Sequence, residues 1–330
     1  MSNKTLLVDG SALFKTAYYG VKNILHKGEK IGGIFASINM IRKLINENQI
    51  NRIVVIWDGD NSINSRVKIY PNYKCNRDIV MEEKEYDNYQ FQKIRVKEYM
   101  EELFIRQYIT KSCEGDDAIA YYVLNRKADE EIIIATNDRD ILQMLDENVG
   151  VYLFDKKHII TPGNFKLFFP YHYKNVKLLK IITGDRSDDI QGIYGLNSSN
   201  AISKITEIIP EIIEREMTLD EVFSICEGKK EEKVCRSLLT GHTSRGIFGT
   251  EYFTINEKLI DLDNPLIEEE DQIEVKQLLN ERLDPTDRRF KNLLRMMIKD
   301  GTVKMIPGQM ERWEEFIQPF LKIIRKEKYN

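Results

Sequence analysis

Histidine and cysteine are scarce in this chain, with only four of each among 330 residues. The cysteines are scattered and form no Cys-x-x-Cys pair: Cys75, Cys113, Cys226 and Cys235. This pattern argues against a zinc site and a disulfide scaffold and is typical of a reducing cytoplasm. No apolar run approaches the roughly 18 residues of a membrane span, and residues 1–5 do not resemble a secretory signal. We therefore expect a cytoplasmic protein without a membrane segment.

An excess of basic residues is also missing, since the formal net charge is −4. A nucleic-acid-binding protein usually carries a basic surface, so this sum alone would argue against one. A site that holds divalent cations must concentrate acidic residues, however. The distribution of charge is therefore more informative than its total.

Apolar, β-branched runs alternate with helical patterns in the first half of the chain. The predicted helices include residues 34–46 and 116–126, and the predicted strands are Thr5–Val8, Ile53–Trp57, Glu131–Thr136 and Val149–Phe154. This alternation predicts an α/β fold with a mostly parallel sheet flanked by helices. We expect an α/β domain over residues 1–183, with an excursion at about 61–107 that contains a long charged helix. Strand signals stop after Gly184, so residues 184–330 are predicted to be a helical domain.

Acidic residues stand where the predicted strands end. Asp9, Asp58 and Asp138 each follow such a strand, and parallel α/β sheets gather ligand-binding side chains at that edge. Further acids lie at predicted helix starts and at the boundary near residue 184: Glu114, Asp116, Asp117, Asp140, Asp185, Asp188 and Asp189. Any one of them could simply cap a helix.

The acids as a set demand compensation. Two carboxylates about 4 Å apart repel by roughly 4 kcal/mol at an effective dielectric near 20. Because carboxylates ionise well below pH 7, cations are the expected partners, and oxygen ligands without His or Cys favour Mg²⁺, with Mn²⁺ as a substitute. Two such ions could bind a scissile phosphate, activate water and stabilise the leaving oxygen. The sequence therefore predicts a two-metal hydrolytic centre.

Six ordered motifs resemble the flap endonuclease and 5′-3′ exonuclease family: residues 8–11, 57–58, 73–77, 114–117, 136–140 and 184–188. The chain looks most similar to the stand-alone 5′ nucleases of bacteriophages, of the phage RNase H type, and to the 5′-nuclease domain of bacterial DNA polymerase. The resemblance covers about residues 5–204 and implies a PIN-like nuclease core with a helical arch. It further implies cleavage of 5′ flaps and of RNA primers on DNA, acting as a monomer in the cytoplasm beside replication proteins such as a polymerase or single-strand-binding protein. For a phage-encoded protein that cytoplasm is the host cell's.

The same resemblance assigns roles by position. It implies that Asp9, Asp58 and Asp116 hold one metal and that Asp138, Asp140, Asp185 and Asp188 hold the other, with Asp116 between them. Glu114 and Asp117 would be ligands or lie immediately behind them. In the basic stretch 66–77, Lys74 and Arg77 would reach the scissile phosphate, Tyr73 would stack on a nucleobase, and Arg66 is expected to bind nucleic acid.

The segment 192–201 resembles the family's helix–turn–helix, through which Gly192 and Gly195 would meet duplex phosphates. Asn197 replaces the family's second glycine there, and residues 198–200 supply no cation. The sequence therefore does not decide whether the turn binds K⁺. We expect duplex affinity either to be weaker than in the family or to come from residues of the helical C-terminal half.

Two other functions stay open at this point. A PIN-type ribonuclease would share the acidic centre, and a branched-DNA-binding subunit could retain the fold without catalysis. The sequence speaks against the second, because every expected acid is present. The tail from Trp313 onward is predicted to pack against the protein.

Overall fold

The structure is a computed structural model that describes residues 3–21, 24–76, 82–196, 199–249, 251–281 and 290–329. The described strands are β1 (Asn3–Asp9), β2 (Leu25–His26), β3 (Glu29–Lys30), β4 (Arg52–Trp57), β5 (Arg106–Ile109), β6 (Glu130–Thr136), β7 (Val149–Leu153), β8 (His158–Ile160), β9 (His242–Thr243) and β10 (Gly246–Ile247). The described α-helices are α1 (Gly10–Gly20), α2 (Gly32–Asn48), α3 (Asn64–Ile69), α4 (Glu83–Glu102), α5 (Gly115–Leu124), α6 (Val176–Thr183), α7 (Ala201–Ile208), α8 (Glu211–Glu214), α9 (Leu219–Gly228), α10 (Lys233–Thr240), α11 (Glu251–Ile260), α12 (Glu269–Asn280), α13 (Lys291–Lys299) and α14 (Trp313–Tyr329).

A six-stranded sheet with the order β5-β4-β1-β6-β7-β8 lies at the centre of the fold. Its strands are parallel except for β8, which runs antiparallel to β7. Leu7 of β1 pairs with Val54 on one side and Ile134 on the other, and all three are fully buried. Burial on both faces explains why these strands are continuous apolar runs. The predicted mostly parallel sheet flanked by helices is confirmed.

The short edge strands were not predicted. Strand β5 contains the charged Arg106, which is 5% exposed and whose guanidinium donates to the Glu281 carbonyl oxygen at 2.8 Å. Strand β8 is only three residues long. Neither has the long β-branched run that marks β1, β4 and β6, so sequence pattern alone does not separate them from loops.

The sheet has a buried apolar layer on each face. One layer joins the sheet to α5, α6 and helices after residue 184, and includes Ile134, Ile182 and Leu238. The other joins it to α1, α2 and the second half of α4, together with α13 and α14 from the end of the chain. The division at residue 183 therefore remains a proposal about organisation.

Helix α4 occupies the segment predicted to be an arch. Its second half is more buried than expected: Val96, Tyr99 and Met100 are at most 1% exposed. The Tyr99 hydroxyl donates to Asp300 at 2.8 Å, and Arg95 forms an ion pair with Asp300 at 2.6 Å. Only the first half can overhang the sheet, because the second half is part of the core.

The described part of the C-terminal half is mainly helical, as predicted, but it also contains strands that the sequence did not predict. Strands β9 and β10 form a short antiparallel hairpin after α10. Helix α14 packs as predicted, with Trp313, Phe316 and Phe320 buried. Among the described residues, no helix combines the length and apolarity that a membrane crossing requires.

Candidate metal centre

The acids at the ends of β1 and β4 lie on adjacent strands at one edge of the sheet. Asp9 caps the start of α1 by accepting a hydrogen bond from the Ala12 amide at 2.9 Å. It accepts a second hydrogen bond, at 2.8 Å, from the hydroxyl of Thr136 at the end of β6. Asp58 accepts a bond from the Gly115 amide at 2.7 Å. A Cβ at Gly115 would lie 3.1 Å from the Asp58 carboxylate, so the glycine allows α5 to begin directly against it.

Asp116 lies near both predicted sets of acids. Burial raises the pKa of Asp9 to about 7, with repulsion from Asp58 and from Asp116 adding to it. Enclosure by the surrounding protein raises the pKa of Asp138 well above its usual range, and Asp140 and Asp116 add to that shift. The structure thus brings together acids from three strand ends and the start of α5, as predicted.

Lys180 of α6 bridges two acids of the second set. Its ammonium is 2.7 Å from Asp140 and also pairs with Asp185. Burial raises the pKa of Asp140, although Lys180 opposes that shift, while repulsion from Asp185 and Asp116 adds to it. Burial alone would raise the pKa of Asp185, but Lys180 and Ser187 together lower it.

Tyr73 and Lys74 face the acids instead of open solvent. The Tyr73 ring is 3% exposed, and its hydroxyl lies 2.6 Å from Glu114 and 3.0 Å from Asp188. The predicted stacking of Tyr73 on a nucleobase is corrected, because neither ring face is available. Lys74 pairs with Glu114, lies 3.8 Å from Asp188, and donates its backbone amide to the Asp188 carbonyl at 3.0 Å.

Arg66 is buried under the centre. Its guanidinium is bidentate to Asp117, lies 3.0 Å from Glu114 and donates to the Leu259 carbonyl at 3.0 Å. With 3% of the residue exposed, Arg66 cannot meet a phosphate, which corrects the predicted nucleic-acid contact. Asp117 is fully buried and also accepts the Leu266 amide at 2.9 Å. Asp117 therefore holds α5 and Arg66 in place behind the other acids and is not an accessible ligand.

The glycines of the predicted duplex-binding turn differ from each other. A Cβ at Gly192 would lie 2.0 Å from the Thr183 carbonyl oxygen, so this buried glycine serves close packing rather than phosphate contact. Gly195 has a positive φ of 94°, and its carbonyl accepts a bond from the Lys204 ammonium at 3.2 Å. Arg77 and Asn197 lie outside the described residues.

Asp189, the acid that the family resemblance does not explain, has a structural partner. Its carboxylate accepts hydrogen bonds from the Asn76 backbone amide at 3.0 Å and from the Asn76 side chain at 2.6 Å. These bonds lower the pKa of Asp189. Asp189 therefore ties the end of the Tyr73–Asn76 turn to the 185–189 loop.

The donor chemistry fits hard divalent cations, because these carboxylates are oxygen ligands that repel one another. In the part of the chain that the structure describes, no three His, Cys or acidic side chains already converge as a ligand set. Arg66, Lys74 and Lys180 form ion pairs with part of the acidic set, including Glu114, Asp140 and Asp185. Binding of ions would require these pairs to rearrange.

Comparison with known proteins places this geometry in a family. Residues 4–169, half of the chain, match the family model of the 5′-3′ exonuclease N-terminal resolvase-like domain. The chain belongs to the 5′-3′ exonuclease family. This exonuclease is 28% identical over 201 residues to a 5′-3′ exonuclease of Buchnera aphidicola, covering 60% of this chain and 68% of the relative. It is 25% identical over 295 residues to a 5′-3′ exonuclease of Mycoplasmopsis pulmonis, covering 88% of this chain and 92% of the relative.

Larger relatives match over part of their length. DNA polymerase I of Caldicellulosiruptor bescii is 28% identical over 236 residues, which are 69% of this chain and 27% of the polymerase.

Two solved structures are similar to this chain. The T5 5′-exonuclease with bound zinc has a TM-score of 0.64 at 18% identity, covering 84% of this chain and 98% of that one. The bacteriophage T5 flap endonuclease in complex with DNA and metal ions has a TM-score of 0.61 at 17% identity, covering 84% and 100%. At these identities the two solved structures confirm the fold of this exonuclease.

Sequence reasoning missed Lys180. It is one of two lysines in the otherwise apolar stretch of α6, and it stands five residues before Asp185. That spacing could have predicted the contact, because a helix that ends at Thr183 places Lys180 in its last turn, beside the acidic loop that contains Asp185. Arg139, by contrast, lies 3.7 Å from Asp155, outside the acidic centre.

Proposed function

We propose that this exonuclease is a structure-selective nuclease that hydrolyses phosphodiester bonds in 5′ flaps of DNA and in RNA primers paired to DNA. The observation that carries the proposal is the position of Asp116, whose charge acts on Asp9 from the β1 end and on Asp138 and Asp140 after β6. One carboxylate shared between two acid sets is the arrangement that a two-ion site requires. Family membership and the fold of the T5 enzymes support it.

The residues that fit a first Mg²⁺ are Asp9, Asp58 and Asp116, and those that fit a second are Asp138, Asp140, Asp185 and Asp188. Mn²⁺ would substitute for Mg²⁺, and K⁺ binding at the Gly195 turn stays open. Bound ions would supply positive charge at the scissile phosphate and a water of lowered pKa. Glu114 is enclosed by Tyr73, Lys74 and Arg66, so we assign it to holding these groups instead of an ion.

Among the described residues, Lys74 is a cation well placed to meet a substrate phosphate. Its ammonium now pairs with Glu114 at the edge of the acid set, and its side chain is 11% exposed. A phosphate would offer it a further anion beside Glu114 and Asp188, and a lysine acts there as a point charge on the developing negative charge. Arg77 would add a planar donor next to it. Water is the expected nucleophile, because no hydrogen bond between a Ser or Cys and a His base is seen among the described residues.

The decisive assay follows an end-labelled 5′ flap DNA with Mg²⁺ and reads product lengths. Asp116→Ala should abolish cleavage while the variant still binds the flap. Single-stranded RNA tests the PIN-type ribonuclease alternative, and binding without cleavage by the wild-type protein tests the non-catalytic one. Full activity of Asp116→Ala, or of the wild-type protein in excess EDTA, would refute the two-ion mechanism.

A replication setting follows from this function. Branched DNA and RNA–DNA hybrids are the proposed substrates, and a polymerase or a single-strand-binding protein the proposed partners. We further propose that the protein acts as a monomer in the cytoplasm, the host's where the gene is phage-encoded.

A further inference from the structure

Asp271 of α12 is a fully buried carboxylate beyond residue 169, where the family match ends. Its two oxygens accept hydrogen bonds from the backbone amides of Lys111 at 2.8 Å and Ser112 at 2.9 Å. They also accept bonds from the hydroxyls of Tyr108 and Ser112. Burial alone would raise the pKa of Asp271, but these bonds lower it. Asp271 is therefore held as an anion whose charge is shared among these donors.

The donors to Asp271 belong to β5 and to the connection that joins β5 to α5. This connection, residues 110–114, ends at Glu114, the N-cap of α5. Asp116 follows in the first turn of that helix. The backbone that Asp271 binds therefore lies four residues before the acid that is near both sets of the metal centre.

The same connection is tied to the end of β4. The Thr110 amide donates to the Trp57 carbonyl at 2.9 Å, and the Thr110 hydroxyl accepts the Gly59 amide at 3.1 Å. A Cβ at Gly59 would lie 1.8 Å from the Thr110 carbonyl oxygen, so the connection runs directly against the residue that follows Asp58. The connection is thus held between the Asp58 end of β4 on one side and Asp271 on the other.

Helix α12 and the chain before it also contact α5. The Leu266 amide donates to Asp117 at 2.9 Å, and the Tyr121 hydroxyl donates to Gln272 at 3.3 Å. These contacts reach the first turn of α5 and its later residues. Residues 266–272 therefore form a backing for α5, in which Asp271 is the group that binds the connection leading to it.

We propose that Asp271 is a positioning residue for the metal centre, which fixes the 110–114 connection and thereby the place of Asp116 beside Asp9 and Asp58. Residues that orient metal ligands without touching the metal typically change metal affinity or activity by roughly 10–100-fold when they are replaced. This inference rests on the proposed function, because it takes Asp116 and its neighbours as an ion site. A purely structural Asp271 would change stability and leave metal affinity as it is.

Asp271→Asn is the variant that tests the role. Each carboxylate oxygen of Asp271 accepts a backbone amide, so the asparagine NH₂ would face an N–H group in either orientation and the connection would have to shift. Calorimetric titration of DNA-free protein with Mn²⁺ should show an affinity lowered roughly tenfold. With a 5′ flap at low, fixed Mg²⁺, kcat should fall and recover as Mg²⁺ is raised, while KM for the flap stays near wild type.

The matched control is Asp300→Asn. Asp300 is another buried aspartate of the C-terminal half, 9% exposed, and it accepts bonds from Arg95 and Tyr99 of α4 instead of the connection to α5. Urea unfolding should show a loss of stability in both variants, because each loses acceptors for buried donors. The Mn²⁺ affinity of Asp300→Asn should remain that of wild type.

Wild-type Mn²⁺ affinity in Asp271→Asn would overturn the inference. An equal fall in Asp300→Asn would do so too, since it would mark a general effect of lost stability. A raised KM with unchanged kcat would contradict it by placing Asp271 in substrate binding. Should Asp271→Asn fail to fold, Ser112→Ala removes only one hydroxyl donor and should lower Mn²⁺ affinity by a smaller factor; an unchanged affinity there would overturn the inference.

The two readouts separate this inference from the proposed function. A wild-type protein that binds Mn²⁺ and does not cleave the flap would refute the proposed function, while the affinities of the variants would still decide the role of Asp271. A wild-type protein that binds no Mn²⁺ would overturn both.

Discussion

Replacing Arg66 by methionine tests whether the acidic centre depends on a buried internal cation. Methionine keeps much of the side-chain volume and removes the charge and all its hydrogen bonds. Asp117 is fully buried and would lose its bidentate partner, and Glu114 would lose one of its two cations. The Leu259 carbonyl would lose the guanidinium donor as well.

The expected cost is large. Removing one partner of a buried ion pair typically destabilises a protein by roughly 3–5 kcal/mol, because the remaining charge is left without compensation. Such a loss is a substantial fraction of a total stability of about 5–15 kcal/mol. For a chain of this size it corresponds to a fall in Tm of roughly 4–7 °C. An exposed salt bridge would contribute only about 0–1 kcal/mol. The measured loss of stability therefore distinguishes a buried Arg66–Asp117 pair from an exposed one.

The measurement is urea unfolding of metal-free protein, followed by circular dichroism. The matched variant is Arg66→Met/Asp117→Leu, which removes both charges and should recover about half of the lost free energy. Recovery will be incomplete, since Glu114 and Asp116 also face Arg66. A loss below about 1 kcal/mol, or a double variant no more stable than the single one, would refute the buried-pair argument.

Three further predictions follow from the same geometry. The raised pKa of Asp9, about 7 in the fold against an ordinary 3.8, means that the metal-free native state binds more protons than the unfolded chain. Its stability should therefore fall as the pH rises from about 4 to 7, and Mg²⁺ should restore it at higher pH; thermal melts with and without Mg²⁺ check this, and a metal-free stability that rises over that window would contradict it. Lys180→Met should lower metal-free stability by about 2–4 kcal/mol and raise the Mn²⁺ affinity severalfold in calorimetric titration, because the ammonium no longer competes for the acids that it bridges. Gly192→Ala should cost about 2–4 kcal/mol in the same unfolding assay, since its Cβ would lie 2.0 Å from the Thr183 carbonyl oxygen; a variant as stable as wild type would show that the loop can move away.

The parts of the fold that sequence alone predicted share a physical reason. The strands β1, β4 and β6 are buried on both faces, so their sequences are continuous apolar runs that can be recognised without the structure. The acids after them follow from the rule that ligands gather at the carboxyl edge of a parallel sheet. Strand β5 and the β9–β10 hairpin were missed because they are too short to carry such a run: β5 has four residues, among them the buried Arg106, and β9 and β10 have two residues each.

The individual roles within the centre were harder to predict, because charge type does not reveal burial. Arg66 and Lys74 lie eight positions apart in one basic stretch, yet Arg66 is enclosed beneath Asp117 while Lys74 stays at the rim. Helix α3 decides this difference: it turns Arg66 inward toward α5 and ends at Ile69, before the turn that carries Lys74. The sequence assigned both residues to nucleic acid, Lys74 by the family resemblance and Arg66 as part of the basic stretch. Only packing separates a cation that holds the acids from one that can leave them for a phosphate.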